Sequence, residues 1–394
     1  MPGFEFIGED ERREVQQVLD SGVLMRYGFD GARNGQWKCR EFEQRLSARL
    51  GARYAHVCSS GTAALSTALA ACGIGAGDEV ILPPFTFVAD LETVLFAGAV
   101  PVFAEIDQTL CLDPRSVEHA ITPKTKAVLV VHMCGAMAQI DAIEDLCRRH
   151  HLTLIEDAAQ AAGATFRGRA LGTFGKAGCF SFDYVKTITC GEGGAILTDN
   201  DEVHRLAQAF TDHGHDHLGT DRGADQHPHI GINFRLSELH AAVGVAQLAR
   251  LDHILEVQRR HKAIIKEGLA GIRRLEFRAL PDPDGDSATF LSVLLPTEEE
   301  ARLAAKALGE AGVDGCFYWY DNNWHYHRKW DHIKTLASPG RLAIDRFGYG
   351  ANLMKVALPQ SDALMGRTIS MLIKLRWTPE QVRDRLARMK SALA

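Results

Sequence analysis

Two apolar runs in the middle of the chain each lead into a side chain that can do acid–base or covalent chemistry. The first run, residues 152–155, has the length of a buried strand and is followed by Glu156 and Asp157. The second run, residues 179–182, is followed by a loop that carries Lys186 and then by Gly-Glu-Gly-Gly at residues 191–194. The pattern therefore has an acid at the end of one predicted strand. About thirty residues later it has a lysine in the loop that follows the next apolar run.

An enzyme that uses pyridoxal phosphate (PLP) needs these two side chains. Its lysine amine forms a Schiff base with the cofactor aldehyde, and its carboxylate pairs with the protonated pyridine nitrogen. Lys186 and Asp157 are accordingly the candidate catalytic pair. The pattern alone leaves a structural role open for both, because most lysines lie at the surface and an acid at a strand end can simply cap the next helix.

Strand-like and helix-like segments alternate along the first half of the chain, which predicts an α/β domain with a mainly parallel sheet. A long helical pattern over residues 236–255 leads out of this domain, and the remainder mixes helices with short strands. We predict a large domain at residues 1–256, with an N-terminal segment, and a smaller α+β domain at residues 257–394. The predicted helices cover residues 9–21, 42–50, 63–72, 90–97, 141–150, 297–311 and 379–393, and the predicted strands cover 54–57, 79–82, 100–105, 127–132, 152–155 and 289–294.

Composition and charge exclude several classes of protein. The 394 residues are 46% hydrophobic, and the formal net charge is −6 with no dense basic run, which argues against a nucleic-acid partner. No apolar stretch is long enough to span a bilayer, and the N-terminus does not resemble a signal peptide. Nine scattered cysteines without a C-x-x-C pair are typical of free thiols in a reducing compartment, so we expect a cytoplasmic protein.

A polar segment at residues 212–229 is predicted to be a long loop, and loops of this length are uncommon unless they are functional or mobile. The spacing of its histidines does not match the usual zinc patterns, so we predict no metal site. These histidines are His213, His215, His217, His227 and His229.

Three motifs in this order resemble the family of sugar aminotransferases that includes the DegT and StrS proteins. The motifs are Asp157-Ala158-Ala159-Gln160, Ser181-Phe182-Asp183-Tyr184-Val185-Lys186 and Gly191-Glu192-Gly193-Gly194, and the resemblance extends from Phe4 to the last helix. It implies the PLP-dependent fold type I, which is aspartate aminotransferase-like. That fold has a large domain with a mainly parallel seven-stranded sheet and a smaller C-terminal α+β domain.

The resemblance also implies roles for individual residues in cofactor binding. Lys186 would carry the cofactor and then move a proton, while Asp157 would hold the pyridine nitrogen and Gln160 would contact the phenolic oxygen. The cofactor phosphate would lie at Ser60-Gly61-Thr62, since main-chain N–H groups at a helix start form an anion site. Further contacts would come from Ser181 to the phosphate, from Phe87 to the face of the ring, and from Asn233 to the cofactor of a neighbouring subunit, which implies a homodimer with shared active sites.

Departures from the common pattern of the family bear on the acceptor. An extended segment at residues 26–34, the sequence Asp183-Tyr184-Val185 before the lysine, and an aromatic block at residues 317–326 resemble the branch that makes 8-amino-3,8-dideoxy-octulosonate (Kdo8N) for lipopolysaccharide. That acceptor is a free sugar acid with a terminal aldehyde, and its carboxylate needs a cation. The candidate substrate-binding residues are Arg26, Arg33, His213, Tyr320 and Arg367. The sequence leaves open whether the three arginines bind the acceptor, bind the carboxylate of the donor or are ion-paired within the protein.

The predicted reaction is a ping-pong transfer of the amino group of L-glutamate to the C8 aldehyde of an 8-oxo-3,8-dideoxy-octulosonate. An aminotransferase of a nucleotide-linked keto sugar is the alternative, and a PLP-binding regulator without turnover is the alternative from another class. Lysine rather than histidine at position 186 argues against the dehydratase chemistry of some family members.

Overall fold

The computed structural model of the protein describes residues 3–218, 222–348 and 356–394. Residues 219–221 of the predicted loop at 212–229 therefore lie outside the described residues. The strands are β1 (Tyr54–Cys58), β2 (Glu79–Leu82), β3 (Val100–Phe103), β4 (Thr125–Val131), β5 (Thr153–Asp157), β6 (Thr165–Phe166), β7 (Arg169–Ala170), β8 (Ala177–Ser181), β9 (Gly194–Thr198), β10 (Glu276–Phe277), β11 (Phe290–Leu294), β12 (Cys316–Phe317) and β13 (Thr368–Leu372).

The helices surround two sheets and begin at recognisable capping residues. Ser60 caps α3 and Asn200 caps α7, each by accepting a main-chain N–H, and Thr378 forms a capping box with Gln381 at α13. The helices are α1 (Glu9–Ser21), α2 (Lys38–Leu50), α3 (Gly61–Ala71), α4 (Ala89–Phe96), α5 (Pro114–Ala120), α6 (Ile140–Arg149), α7 (Asp201–Phe210), α8 (Glu238–Ala249), α9 (Leu251–Leu269), α10 (Glu298–Glu310), α11 (Asp331–Lys334), α12 (Pro359–Gly366) and α13 (Pro379–Leu393). For α1 and α13 these bounds coincide with the predicted ones.

A seven-stranded sheet in the order β1-β9-β8-β5-β4-β2-β3 forms the core of the larger part of the molecule. Strands β8, β5, β4, β2 and β3 are parallel, whereas β9 is antiparallel to both β1 and β8. Both faces are covered: on β4, Val128 and Val130 belong to one apolar cluster, and Ala127 and Leu129 belong to another. Burial on both faces explains why these strands read as continuous apolar runs. The predicted α/β fold with a mainly parallel seven-stranded sheet is confirmed.

A second sheet, in the order β10-β11-β13-β12, lies in the C-terminal part of the chain. Its apolar side packs on α9, α10 and α13 through a separate cluster that includes Ile265, Leu291 and Ile369. Helix α9 runs without a break from residue 251 to residue 269, so it crosses the predicted boundary at residues 256 and 257. The division into two domains at that point stays a prediction.

The single helix predicted over residues 236–255 is wrong, because the structure has α8 and α9 meeting at Arg250. The Arg250 guanidinium reaches back to α1, where it pairs with Asp10 at 2.5 Å and with Glu11 at 2.9 Å. Periodicity does not show this break, because both helices have buried apolar residues; what differs is their packing, since α8 lies against α1 and α2 and α9 lies against α13.

Strand β9 begins directly after the glycine-rich run and was not predicted as a strand. A Cβ atom on Gly194 would lie 2.2 Å from the carbonyl oxygen of Ser60, so only glycine allows β9 to pass the start of α3 this closely. The run therefore serves the packing of the sheet at the point where α3 begins.

Two further observations concern the class of the protein. All nine cysteines are free thiols, and seven of them are buried. In the part of the chain that the structure describes, no helix combines the length and the apolar character needed to cross a lipid bilayer.

Candidate active site

A cavity of about 490 Å³ lies at the carboxyl ends of β5 and β8, beside the starts of α3 and α4. Ligands of open parallel sheets bind at this edge, because the loops that follow the strands converge there. The second sheet closes the cavity with Phe290, Phe317 and Leu372. Eight residues singled out from the sequence line it together, namely Ser60, Gly61, Thr62, Phe87, Asp157, Gln160, Ser181 and Lys186.

Asp157 is the last residue of β5, and its side chain is buried at the base of the cavity. Its Oδ1 atom accepts the main-chain N–H of Ala159 at 2.7 Å, which fixes the carboxyl group and leaves Oδ2 for a partner on the cavity side. Burial raises the pKa of Asp157 above its usual range, while the hydrogen bond from Ala159 and the nearby charge of Lys186 oppose that rise. A cationic N–H in the cavity would stabilise the ionised form further.

Lys186 lies in the loop after β8, with its main-chain N–H bonded to the Asp183 carbonyl oxygen at 3.0 Å and its own carbonyl oxygen to the N–H of Gly3 at 2.9 Å. These bonds hold the backbone on both sides of the side chain. Burial lowers the pKa of the Lys186 amine, against the opposing charges of Asp157, Asp183 and Asp90. A lowered pKa increases the fraction of neutral amine near pH 7, which a nucleophile or a proton acceptor requires.

The start of α3, which lies against β8, has main-chain N–H groups arranged as an anion site would need. Ser60 caps the helix by accepting the N–H of Ala63 at 3.0 Å, so the first main-chain N–H groups, including those of Gly61 and Thr62, point out of the helix end. A Cβ atom on Gly61 would lie 2.8 Å from the Cβ of Ser181, so glycine is required for this close approach. The helix end and the Ser181 hydroxyl therefore border the same part of the cavity.

Gln160 and Phe87 supply an amide and an aromatic ring to the wall. The Gln160 Oε1 atom accepts the main-chain N–H of Cys134 at 2.9 Å, which leaves the Nε2 donor for an oxygen in the cavity. The Phe87 ring stacks in parallel on Trp324, with their centroids 5.8 Å apart.

These features fit PLP. The helix start suits its phosphate, Asp157 Oδ2 suits a ring N–H, the Gln160 amide suits the phenolic oxygen, and the Lys186 amine suits the aldehyde carbon. The glycine at position 61, where any Cβ would meet Ser181, lets the helix start and the Ser181 hydroxyl lie close enough to contact the same phosphate.

Arg26 and Arg33, two of the predicted acceptor-binding residues, are buried and do not line the cavity. Arg26 bonds to Glu43 at 2.5 Å and to the Val57 carbonyl oxygen at 3.0 Å. Arg33 bonds to the Gly28 carbonyl oxygen at 2.6 Å. Within one chain both guanidinium groups are thus engaged in holding the segment that contains residues 26–34.

The other predicted acceptor residues also lie away from the cavity lining. Arg367 is 3.6 Å from Glu276, the Tyr320 ring lies 4.2 Å from the Arg328 guanidinium, and His213 is exposed with a φ of +56°. Asn233 is exposed as well, and its Oδ1 accepts the main-chain N–H of Arg235 at 3.3 Å. The roles of these four residues stay predictions.

The structure adds cavity residues that sequence reasoning did not single out. Trp319, Asn322, Trp324 and His325 all belong to the aromatic block at residues 317–326, whose composition was the signal that could have found them. The His325 ring lies 4.7 Å from Trp319, and its Nδ1 is 3.1 Å from the Asn322 Oδ1. Burial and the charge of Lys186 lower the pKa of His325 to about 4, so its ring is neutral near pH 7.

Asp90, on α4, is a fifth such residue and is fully buried. No motif marks it, because its importance depends on a neighbour that is distant in the sequence. Among the described residues, no three His, Cys, Asp or Glu side chains are arranged to hold a metal ion.

Comparison with known proteins gives one consistent result. The model of the DegT/DnrJ/EryC1/StrS aminotransferase family matches residues 5–340. L-glutamine:2-deoxy-scyllo-inosose aminotransferase of Micromonospora echinospora is 42% identical over 270 residues, which are 66% of this chain and 63% of that protein. GDP-perosamine synthase of Caulobacter vibrioides is 41% identical over 221 residues, which are 56% of this chain and 58% of that protein. The matched part thus spans less than two thirds of the length of either relative.

The similarity to solved structures extends over the whole chain. The crystal structure of NtdA from Bacillus subtilis, with bound cofactor PMP, superposes with a TM-score of 0.81 at 25% sequence identity. The match covers 100% of this chain and 84% of that one.

Proposed function

The chain belongs to the DegT/DnrJ/EryC1/StrS aminotransferase family, and from this premise we propose that it transfers an amino group from an amino acid to a sugar carbonyl with PLP. The observation that carries the proposal is the arrangement of the cavity, in which Lys186, Asp157 and the start of α3 face one volume of about 490 Å³. A lysine, an acid and an anion site are the three groups that PLP requires, and each comes from a different part of the sheet edge.

Bound PLP would supply an aldehyde carbon that accepts the amino group and an aromatic ring that takes up electrons. Asp157 would hold a proton at the ring nitrogen through Oδ2, while Ala159 keeps Oδ1 in place. Lys186 Nζ would take the proton from the α carbon of the donor, which its lowered pKa favours. The neutral His325 ring, beside Lys186, would exclude water from that side of the cavity without adding a charge.

For the acceptor, the octulosonate remains our specific proposal, supported by residues 26–34, Asp183-Tyr184-Val185 and the aromatic block. A nucleotide-linked keto sugar is the second candidate, because a relative at 41% identity is a GDP-perosamine synthase. Among the described lining residues Lys186 is the one Lys or Arg, so a sugar acid would need a cation from elsewhere, including a neighbouring subunit.

A comparison of the two acceptors in separate reactions distinguishes these candidates. The purified protein is incubated with PLP, L-glutamate and either 8-oxo-3,8-dideoxy-octulosonate or GDP-4-keto-6-deoxymannose, and the products are identified by mass spectrometry. An amino sugar acid supports the octulosonate proposal, and an amino nucleotide sugar overturns it in favour of the second candidate.

L-glutamate is the proposed donor, although the inosose aminotransferase relative uses L-glutamine by its name. The first half of the reaction tests both donor and cofactor. The visible absorption of the purified protein should be that of a lysine-bound cofactor and should be bleached by L-glutamate, and Lys186→Ala should lack this absorption. A protein that stays colourless with added PLP overturns the proposal, and a coloured protein that transfers no amino group indicates a cofactor-binding regulator.

We also propose a homodimer in which Asn233 reaches the cofactor of the other subunit. Asn233 is exposed and follows two exposed apolar residues, Ile230 and Ile232, of which Ile230 has 94% of its surface accessible. Mixed dimers of Lys186→Ala and Asn233→Ala test this arrangement. Because the mixture would contain one intact site per hybrid dimer, activity should reappear on mixing two inactive variants, and continued inactivity would count against shared sites. The cytoplasmic location stays a prediction.

A further inference from the structure

A second carboxyl group lies beside Asp157 at the base of the cavity. Asp90 is the second residue of α4, its side chain is fully buried, and it lines the same volume as Asp157 and Lys186. The negative charge of Asp157 raises the pKa of Asp90, so the two carboxyl groups lie close together in this cavity. Two ionised carboxylates that are close together in a medium of low dielectric constant repel each other, which favours a proton on one of them.

The hydrogen bonds around Asp90 show which oxygen carries that proton. Its Oδ2 atom accepts a hydrogen bond from the hydroxyl of Thr86, four residues earlier in the loop before α4, and so acts as the carbonyl-like oxygen. Its Oδ1 atom is buried and has no other hydrogen-bond partner among the residues that the structure describes. Asp157 already accepts the Ala159 N–H, so it is arranged as an acceptor, and a proton on Asp90 Oδ1 would complete the pair.

The surrounding charges also favour a proton on Asp90 and an ionised Asp157. Burial and the negative charge of Asp157 raise the pKa of Asp90 well above its usual range. The charge of Lys186 favours the ionised form of Asp157. The Cys179 thiol, which also lines the cavity, has a pKa raised by burial and by both carboxyl groups, so it stays neutral, while Asp183 and Glu192 are two further carboxyl groups of the lining.

We propose that Asp90 is a positioning residue that donates a hydrogen bond from its protonated Oδ1 to Asp157 and so keeps Asp157 ionised and aimed at the ring nitrogen of the cofactor. The inference rests on the proposed function for the role of Asp157, but the position of the proton can be measured without cofactor. Asp90 itself does not touch the reacting atoms in this scheme; it acts through Asp157.

Two variants separate hydrogen bonding from packing. In Asp90→Asn, the amide oxygen can still accept from Thr86 and the amide nitrogen can still donate to Asp157, so the pair is kept without a titrating proton. In Asp90→Leu, the volume is similar but the donor is lost. A hydrogen bond to a charged group corresponds to roughly 10-fold or more in an equilibrium. We expect Asp90→Leu to bind PLP about 10-fold more weakly than the natural chain, and Asp90→Asn to stay within about 3-fold of it.

The first measurement is infrared spectroscopy of the cofactor-free protein at pH 8. The carbonyl stretch of a protonated carboxylic acid should be present in the natural chain, absent from Asp90→Asn, and retained in Asp183→Asn, which removes a different carboxyl group from the same cavity. Lack of this band in the natural chain, or its persistence in Asp90→Asn, overturns the proposal.

The second measurement is PLP binding, followed by visible absorption between pH 6 and pH 9, with circular dichroism to verify that each variant is folded. The positioning role is supported if Asp90→Asn keeps the PLP affinity of the natural chain and its dependence on pH, and Asp90→Leu does not. Equal PLP affinities for Asp90→Leu and the natural chain refute it. If Asp90→Leu does not fold, the infrared band and the pH dependence of PLP binding by Asp90→Asn test the proposal. If the natural chain does not bind PLP, the proposed function fails, while the infrared band still reports where the proton is.

Discussion

The largely buried carboxylate of Glu43, whose side chain is 14% exposed, offers the most quantitative test of how this structure is stabilised. Glu43 Oε1 accepts a hydrogen bond from Arg26 at 2.5 Å and from the main-chain N–H of Val57 at 2.9 Å, and it lies 3.3 Å from His56 Nδ1. Burial alone would raise the pKa of Glu43, but the charge of Arg26 and the hydrogen bonds of this network lower it from 4.5 to about 2. These contacts join α2 to β1 and to the segment that contains Arg26.

The expected energy follows from the change in pKa. A carboxyl group whose pKa falls from 4.5 to about 2 on folding contributes about 3 kcal/mol to the free energy of unfolding, at roughly 1.4 kcal/mol per pKa unit. Because the folded pKa is the lower one, this contribution is fully present above pH 4.5 and is lost as the pH falls towards 2. Glu43→Gln keeps an acceptor oxygen and removes the charge, so it should lower the free energy of unfolding by about 3 kcal/mol at pH 8.

The choice of pH 8 isolates Glu43 from its neighbour. Burial and the charge of Arg26 lower the pKa of His56 to about 4, so above pH 6.5 its ring is neutral in both the folded and the unfolded chain. Urea unfolding at fixed protein and PLP concentrations, followed by circular dichroism, gives the difference between variant and natural chain. The control is Glu310→Gln, which removes an exposed partner of Lys306 at 3.8 Å and should cost less than about 1 kcal/mol.

A loss below about 1 kcal/mol for Glu43→Gln at pH 8 would refute this reasoning, because it would mean that desolvation of the pair cancels its attraction.

Three further substitutions test the cavity and the sheet. Gly61→Ala should weaken PLP binding at least about 10-fold, because the new Cβ would lie 2.8 Å from Ser181; an unchanged affinity in an absorption titration would contradict the phosphate site. Gln160→Leu should destabilise the protein by about 1–3 kcal/mol in thermal unfolding, because the main-chain N–H that its oxygen accepts loses its partner. Gly178→Ala should yield little folded protein, because its Cβ would lie 1.9 Å from the Gly172 carbonyl oxygen, and a soluble variant with normal circular dichroism would contradict that packing.

Local sequence was sufficient for the fold class and for the residues that line the cavity on one side. Strands buried on both faces show as apolar runs, and side chains at their carboxyl ends, such as Asp157, meet at one edge of the sheet. The same logic applies to Ser60 and Lys186, each of which follows a strand of this sheet. The family resemblance supplied the expected roles of these residues.

Tertiary structure alone decided which charged groups meet. From the sequence alone, Arg26 is a plausible ligand for a substrate carboxylate. In the folded protein it pairs instead with Glu43, which is 17 residues away in the chain. Asp90 has no motif, yet the fold brings it from α4 to Asp157 on β5. Local patterns report periodicity and propensity, whereas the partners of a buried charge depend on how distant segments pack. The sequence thus determined the sheet, the lysine and the acid, and packing determined which neighbours set the proton affinities of those groups.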